Sequence, residues 1–148
     1  MQISRRDLNF LLPVLAAAGA RAQQPTQTPV ATIVSKVYSN EAIPFTGEDK
    51  DKKESREFFL LATHSGFKVQ MHETGLGPGV ESHAPHQHVH EEIIILTEGT
   101  LEANLDGVKH SMTTGSAVVF GSNQLHNVRN PGTVPAKYYV IELRGTES

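Results

Sequence analysis

The run Glu92-Ile93-Ile94-Ile95-Leu96-Thr97-Glu98-Gly99 leads into Thr100-Leu101-Glu102-Ala103-Asn104-Leu105, then Asp106-Gly107, then Val108-Lys109-His110-Ser111-Met112. Glu92–Glu98 reads as a strand, and Gly99 as the sharp turn or bulge that ends it. Asp106-Gly107 between two apolar-patterned runs is the strongest short hairpin signal in the chain, because a type I′ turn needs positive φ at both central positions. Working outward, Phe58–His64 and Phe67–Thr74 read as strands joined at Ser65-Gly66. Ser116–Phe120, His126–Asn130 and Lys137–Leu143 follow downstream, separated by Gly121-Ser122-Asn123 and Pro131-Gly132. Upstream, Ala31–Tyr38 is rich in β-branched residues and predicts one more strand. Gly75–Gly79 reads as a loop, and the mixed-charge run 48–54 as a solvated loop. Many short strands at regular spacing, with no convincing helix and no repeat of solenoid length, predict an all-β antiparallel sandwich or barrel.

Composition agrees with one soluble domain. At 148 residues the chain is about one domain long. With 38% hydrophobic and 20% charged residues it is neither low-complexity nor polar enough to stay disordered. A net charge of −3 provides no basic footprint, so nucleic acid is not an expected partner. The absence of cysteine excludes disulfides, thiolate metal sites and a cysteine nucleophile.

The first 22 residues read as an address. Ser4-Arg5-Arg6-Asp7 precedes a short apolar stretch and then Ala20-Arg21-Ala22, a small-x-small cleavage site. The paired arginines resemble bacterial twin-arginine signals. The apolar stretch is short for a span of ~20 residues and is broken by Pro13, so no stable membrane anchor is expected after cleavage. Cleavage near Ala22 leaves 126 residues at a net charge of −5, exported to the periplasm or secreted. Residues 23–30 form a polar, proline-bearing flexible lead-in, and 31–145 the barrel domain.

Histidine is over-represented. Eight are present, and His83, His86, His88 and His90 fall within eight consecutive residues. Read as a strand of period two, His86, His88, His90 and Glu92 project to one side, and Ile94 and Leu96 continue that face. Imidazoles and a carboxylate on one wall suit a borderline divalent metal. His126, entering a later strand after a turn, is the candidate for a ligand from elsewhere. His90 is open to three readings: a replacement ligand, a base at the mouth, or a group that packs beside the site. His83, in the loop before Pro85, is expected to face solvent. His64, His72 and His110 read as surface or barrel-wall positions, and Met71 with Phe58-Phe59 as barrel core.

The stretch Gly79–Gly99 resembles the first motif of the cupins, with His86-Gln87-His88, then Glu92, then Gly99. Gly115–Asn130 resembles their second motif, with Gly115, His126 and Asn130. Gly79 stands one residue further from His86 than is usual, and Gly121 and Asn123 stand where the second motif prefers proline and glycine. The resemblance implies a single jelly-roll β-barrel with His86, His88, Glu92 and His126 as ligands to one divalent transition metal. Folding before export favours manganese or iron, with nickel, cobalt, zinc and copper as alternatives.

Two functions remain open at this stage. One is a small metalloenzyme acting on a small oxygenated molecule, with dioxygenase-like oxidation ahead of lyase or isomerase chemistry. The other is a periplasmic cupin that binds a metal or small ligand without turnover. Ile93 and Ile95 point away from Glu92, and covering that face by a second copy predicts a homodimer, with Ala31–Tyr38 as the intrachain alternative.

Overall fold

The alternation along Glu92–Glu98 forms part of the inner wall of a two-sheet barrel. A computed structural model describes residues 32–49 and 52–145. The expected export signal (1–22) and lead-in (23–30) lie outside the described residues. Among the described residues nine strands follow a short 3-10 turn at Asn40–Ala42: β1 Thr46–Asp49, β2 Lys53–Ala62, β3 Lys68–Leu76, β4 Glu91–Glu98, β5 Thr100–Leu105, β6 Val108–Thr113, β7 Ala117–Phe120, β8 His126–Arg129 and β9 Ala136–Leu143. Among the described residues there is no α-helix. One sheet runs in the order β1-β2-β3-β9-β4-β7 and the other β6-β5-β8, with every ladder antiparallel. This is a single jelly-roll domain.

The core follows from strand parity. Glu92, Ile94 and Leu96 of β4 are buried while Glu91, Ile93 and Ile95 are half-exposed. On β9 the inward set is Ala136, Tyr138, Val140 and Glu142. Leu101 and Ala103 of β5, with Met112, Phe120 and Val128, complete the apolar filling. Apolar side chains thus fill one part of the interior. The inward ends of β4 and β9 carry the carboxylates of Glu92 and Glu142, which are cross-strand partners.

Turn chemistry fixes the register. Asp106 and Gly107 have φ of 52° and 88°, as the I′ turn between β5 and β6 requires. Gly99 has φ of 78°, and a Cβ there would lie 2.7 Å from the Pro135 carbonyl oxygen. A side chain at Gly99 would therefore force β4 away from the start of β9.

Several sequence expectations are corrected. Within Ala31–Tyr38 the described residues form no strand; Thr32 makes an isolated parallel bridge to Ala62, while Val34 and Val37 are exposed. β-Branched residues favour a pleated, half-buried surface, and this stretch has no partner ladder to supply one. β3 continues through Gly75 to a buried Leu76, because the pairing with β2 and β9 holds to that point. The charged run is not simply a solvated loop: its ends belong to β1 and β2. Met71, Phe58 and Phe59 are half-buried on the outer face, with Phe58 edge-on to Tyr139 and Phe59 against Tyr38. Finally, His86–His90 is not a strand; β4 begins only at Glu91.

Asn130 ties the loops together at one end of the barrel. Fully buried, it donates through Nδ2 toward the carbonyls of Leu76, Gly77 and Val134 at 2.8–3.1 Å, and accepts from Gly132 N–H at 2.9 Å. Replacing it by alanine leaves buried carbonyls without a donor. Asn130→Ala should cost about 3 kcal/mol, read as a lowered urea midpoint with an unchanged m-value.

Candidate metal centre

Backbone hydrogen bonds, rather than a strand, place the first histidines. His86 N–H donates to the His126 carbonyl at 3.1 Å, and His126 N–H donates back at 2.9 Å. Asn123 N–H donates to the His88 carbonyl at 2.7 Å. The loop before β4 is thereby pinned to the segment entering β8. The ring centroids of His86, His88 and His126 lie 4.6–5.3 Å apart, and Phe120 stacks on His126 at 4.3 Å.

Each ring is also set in one tautomer. His86 Nδ1 faces the His126 carbonyl at 3.2 Å, His88 Nδ1 the His90 carbonyl at 2.7 Å, and His126 Nδ1 the Gln124 carbonyl at 2.7 Å. A carbonyl only accepts, so in each case Nδ1 carries the hydrogen and a neutral ring keeps its lone pair on Nε2. Nε2 of His88 and of His126 is buried with no hydrogen-bond partner. Glu92 Oε2 stands 3.5 Å from His88 Nε2, too long for a good hydrogen bond. A lone pair and a carboxylate facing each other call for a cation between them.

The donor set fits that demand. One nitrogen from each of His86, His88 and His126 falls within a 4.8 Å group, and His88, His90 and Glu92 form a second, overlapping group. His86, His88, His126 and Glu92 could together hold a metal ion, as three neutral imidazoles and one carboxylate suit a divalent transition metal. Burial, and then the neighbouring Glu142, raise the pKa of Glu92, against the opposing pull of His88. His126 is shifted down by burial, which keeps its ring neutral and ready to ligate.

The remaining expected residues sort clearly. His90 stacks on His88 at 3.7 Å with rings nearly parallel, and its Nε2 lies 3.2 Å from Glu142 Oε2. His83 meets His86 edge-on at 4.1 Å, so it stands beside the cluster although exposed; burial of part of its ring and the nearby His86 hold its pKa at about 4. His64 and His110 are exposed. His72 lines the cavity.

That cavity, of about 230 Å³, is lined by the histidine cluster together with Lys53, Ser82, Tyr138, Glu142 and Arg144. None of these five stood out in the sequence. Glu142 and Tyr138 carried a signal, since they share parity with Val140 on a strand that was legible. Lys53 was hidden inside the charged run.

The family model of the cupin domain matches residues 72–142. Over those 71 residues, just under half of its length, the chain is similar to the cupin domain. Among solved structures, a RmlC-like cupin from Shewanella frigidimarina superposes with a TM-score of 0.63 at 17% identity, over 76% of this chain and 95% of that one. KdgF from a Halomonas species gives 0.62 at 16% identity, over 74% and 94%. A sugar phosphate isomerase of the cupin superfamily from Silicibacter pomeroyi gives 0.59 at 20%, over 74% and 76%. These likenesses establish the cupin fold. No curated protein matches the sequence.

Histidines held neutral inside this cavity make stability depend on pH. Burial lowers the pKa of His72, outweighing the carboxylates of Glu142 and Glu57, while Lys53 and Arg144 add to the lowering. As pH falls through the ordinary imidazole value of 6.5, the unfolded chain takes up a proton that folded His72 refuses. Stability therefore drains away on acidification. The urea midpoint of metal-free protein should fall between pH 7 and pH 5, and His72→Gln should make that fall smaller.

Proposed function

We propose that this protein is an exported cupin and a mononuclear metal-dependent enzyme acting on a small oxygenated molecule. One observation carries the reading: three imidazoles are held by carbonyls at Nδ1, two of them (His88 and His126) with a buried, unpartnered Nε2, and they line an open cavity with the Glu92 carboxylate. A purely structural cluster would have those polar atoms satisfied. Bound there, a divalent ion would supply Lewis acidity and, if redox-active, electron transfer. Manganese or iron is the proposed occupant, and dioxygenase-like oxidation the first activity to test.

The chain's own residues shape the reaction space. Phe120 backs His126 and keeps water from behind it, and the cavity of about 230 Å³ is of a size for a small molecule. At its wall His90 Nε2 lies 3.2 Å from Glu142 Oε2, close enough for a proton to pass between an acid–base pair. That pair favours lyase or isomerase chemistry as the second reading, in line with one structural neighbour described as a sugar phosphate isomerase.

Elemental analysis of the exported protein should find about one equivalent of manganese or iron per chain. Oxygen consumption by that protein should be seen with at least one member of a panel of diketones, phenolics and small hydroxy acids. Glu92→Ala should reduce it more than about 100-fold, of the order expected when a group at the reacting centre is removed. Retention of a ligand without any product would instead identify a binding protein, and a protein that takes up no metal would remove the reading altogether.

The outer face of the larger sheet presents Ile93 and Ile95 beside Ile141 and Tyr139. We propose that a second copy covers it. Mass spectrometry of the exported protein should give a chain beginning at Gln23, and light scattering should give twice that chain's mass.

A further inference from the structure

The cavity contains two side-chain cations besides its histidines, and they are used differently. Arg144 is committed: its Nε donates to Glu142 Oε2 at 2.7 Å, and its second nitrogen pairs with the same oxygen. Lys53, at the start of β2, reaches the cavity wall and donates from Nζ to the Ser82 carbonyl at 2.8 Å. No carboxylate among the described residues pairs with it. An ammonium has three donors; Lys53 is exposed as a residue, so its other two face the cavity and solvent, and the bond to a neutral carbonyl supplies no countercharge. Its surroundings are partly dry, since burial pulls its pKa down.

We propose that Lys53 is the carboxylate-binding group of this cavity, and that the substrate is a small molecule bearing a carboxylate. This rests on the metal-enzyme reading for the second point of attachment, the metal, and on Lys53 alone for the first. With a divalent ion present, and with Glu92 ionised and the Glu142–Arg144 pair neutral overall, the cavity carries about +2. A carboxylate with a second acidic oxygen complements that charge, whereas a neutral diketone or phenol leaves it uncompensated. A short chain or a single small ring suits a cavity of about 230 Å³. Lys53 is a binding residue here: it fixes one end of the molecule and places the other toward the histidine cluster. The loop that carries His83 and His86 begins next to Ser82, so the Lys53–Ser82 bond also links the anion contact to the ligand loop.

Malonate and its uncharged isostere malonamide are suitable probes, titrated calorimetrically into both metal-loaded and metal-free protein. The parent should bind malonate well ahead of malonamide in both states, and more tightly when loaded. Lys53→Gln keeps a donor for the Ser82 carbonyl but removes the charge. It should weaken malonate binding about 10- to 100-fold in both states, the range of one charge-assisted hydrogen bond, and leave malonamide binding and metal stoichiometry unchanged. Lys53→Arg should restore malonate binding to within about threefold, because the charge is back. In the parent alone, the Lys53 side-chain NMR resonances should move with malonate and stay in place with malonamide. Equal malonate affinity in parent and Lys53→Gln, or unmoved Lys53 resonances, overturns the proposal. A parent that holds no metal yet binds malonate through Lys53 overturns the metal-enzyme reading and supports this one.

Discussion

Three imidazole rings and a carboxylate, brought within a few ångströms and largely withdrawn from water, form the arrangement that the rest of the barrel supports. Each ring gives its Nδ1 hydrogen to a backbone carbonyl, so each directs its lone pair inward. Buried acceptors without donors are unfavourable by roughly 1–3 kcal/mol each. Glu92 adds a charge whose burial is resisted further by Glu142. Such a cluster persists because two loops and two strands over-determine it, and because a cation can satisfy every member at once. Binding free energy at such a site becomes folding free energy.

The placement of Glu92 opposite Glu142 shows how the sheet distributes that electrostatic load. Two carboxylates as cross-strand partners repel each other, yet both face the interior. Glu142 is neutralised by Arg144 and approached by His90, so its charge is already answered by the protein. Glu92 has no Arg or Lys paired with it among the described residues; His88 Nε2 stands 3.5 Å away, and a His90 nitrogen lies in the same group. The asymmetry separates one carboxylate available for an added cation from another held in a permanent ion pair. It also leaves Lys53 as a cavity-lining cation that no carboxylate among the described residues pairs with.

The fold was legible because its signals are local. Asp106-Gly107 demands a turn, and the alternation of Ile94 and Leu96 with Ile93 and Ile95 demands a one-sided strand. The ligand candidates came from two motif frames, and the structure puts His86, His88 and His126 in one group and Glu92 with His88 in another. Other features depended on contacts distant in sequence. Lys53 sits in a run of seven charged residues, and nothing in that run marks which one turns inward; the pairing of β2 with β3 decides it. The apolar stretch after Ala31 had strand-like composition, but a strand also needs a partner with free hydrogen-bonding groups. Beyond Thr32 the described residues of that stretch have none in a ladder. Propensity describes what a residue tolerates, and pairing determines what it does.

The histidine segment shows why being a loop matters to the site. On a strand, His86 and His88 would stand ~6.5–7 Å apart with parallel side chains, and His90 would extend the same row. The loop brings the His86 and His88 rings to 5.3 Å, tilted by 64°, so that they approach one point from different directions. His90 is instead folded flat against His88 and turned toward Glu142. Irregular backbone usually sacrifices precision, but here it does not. Gly79 N–H donates to the Asn130 carbonyl, Ser82 N–H to that of Val128, and His86 is doubly bonded to His126. The segment thus receives hydrogen bonds at intervals comparable to a ladder's, while escaping the period of two that a ladder imposes. A strand would have presented a row of imidazoles, and the pinned loop presents a cluster.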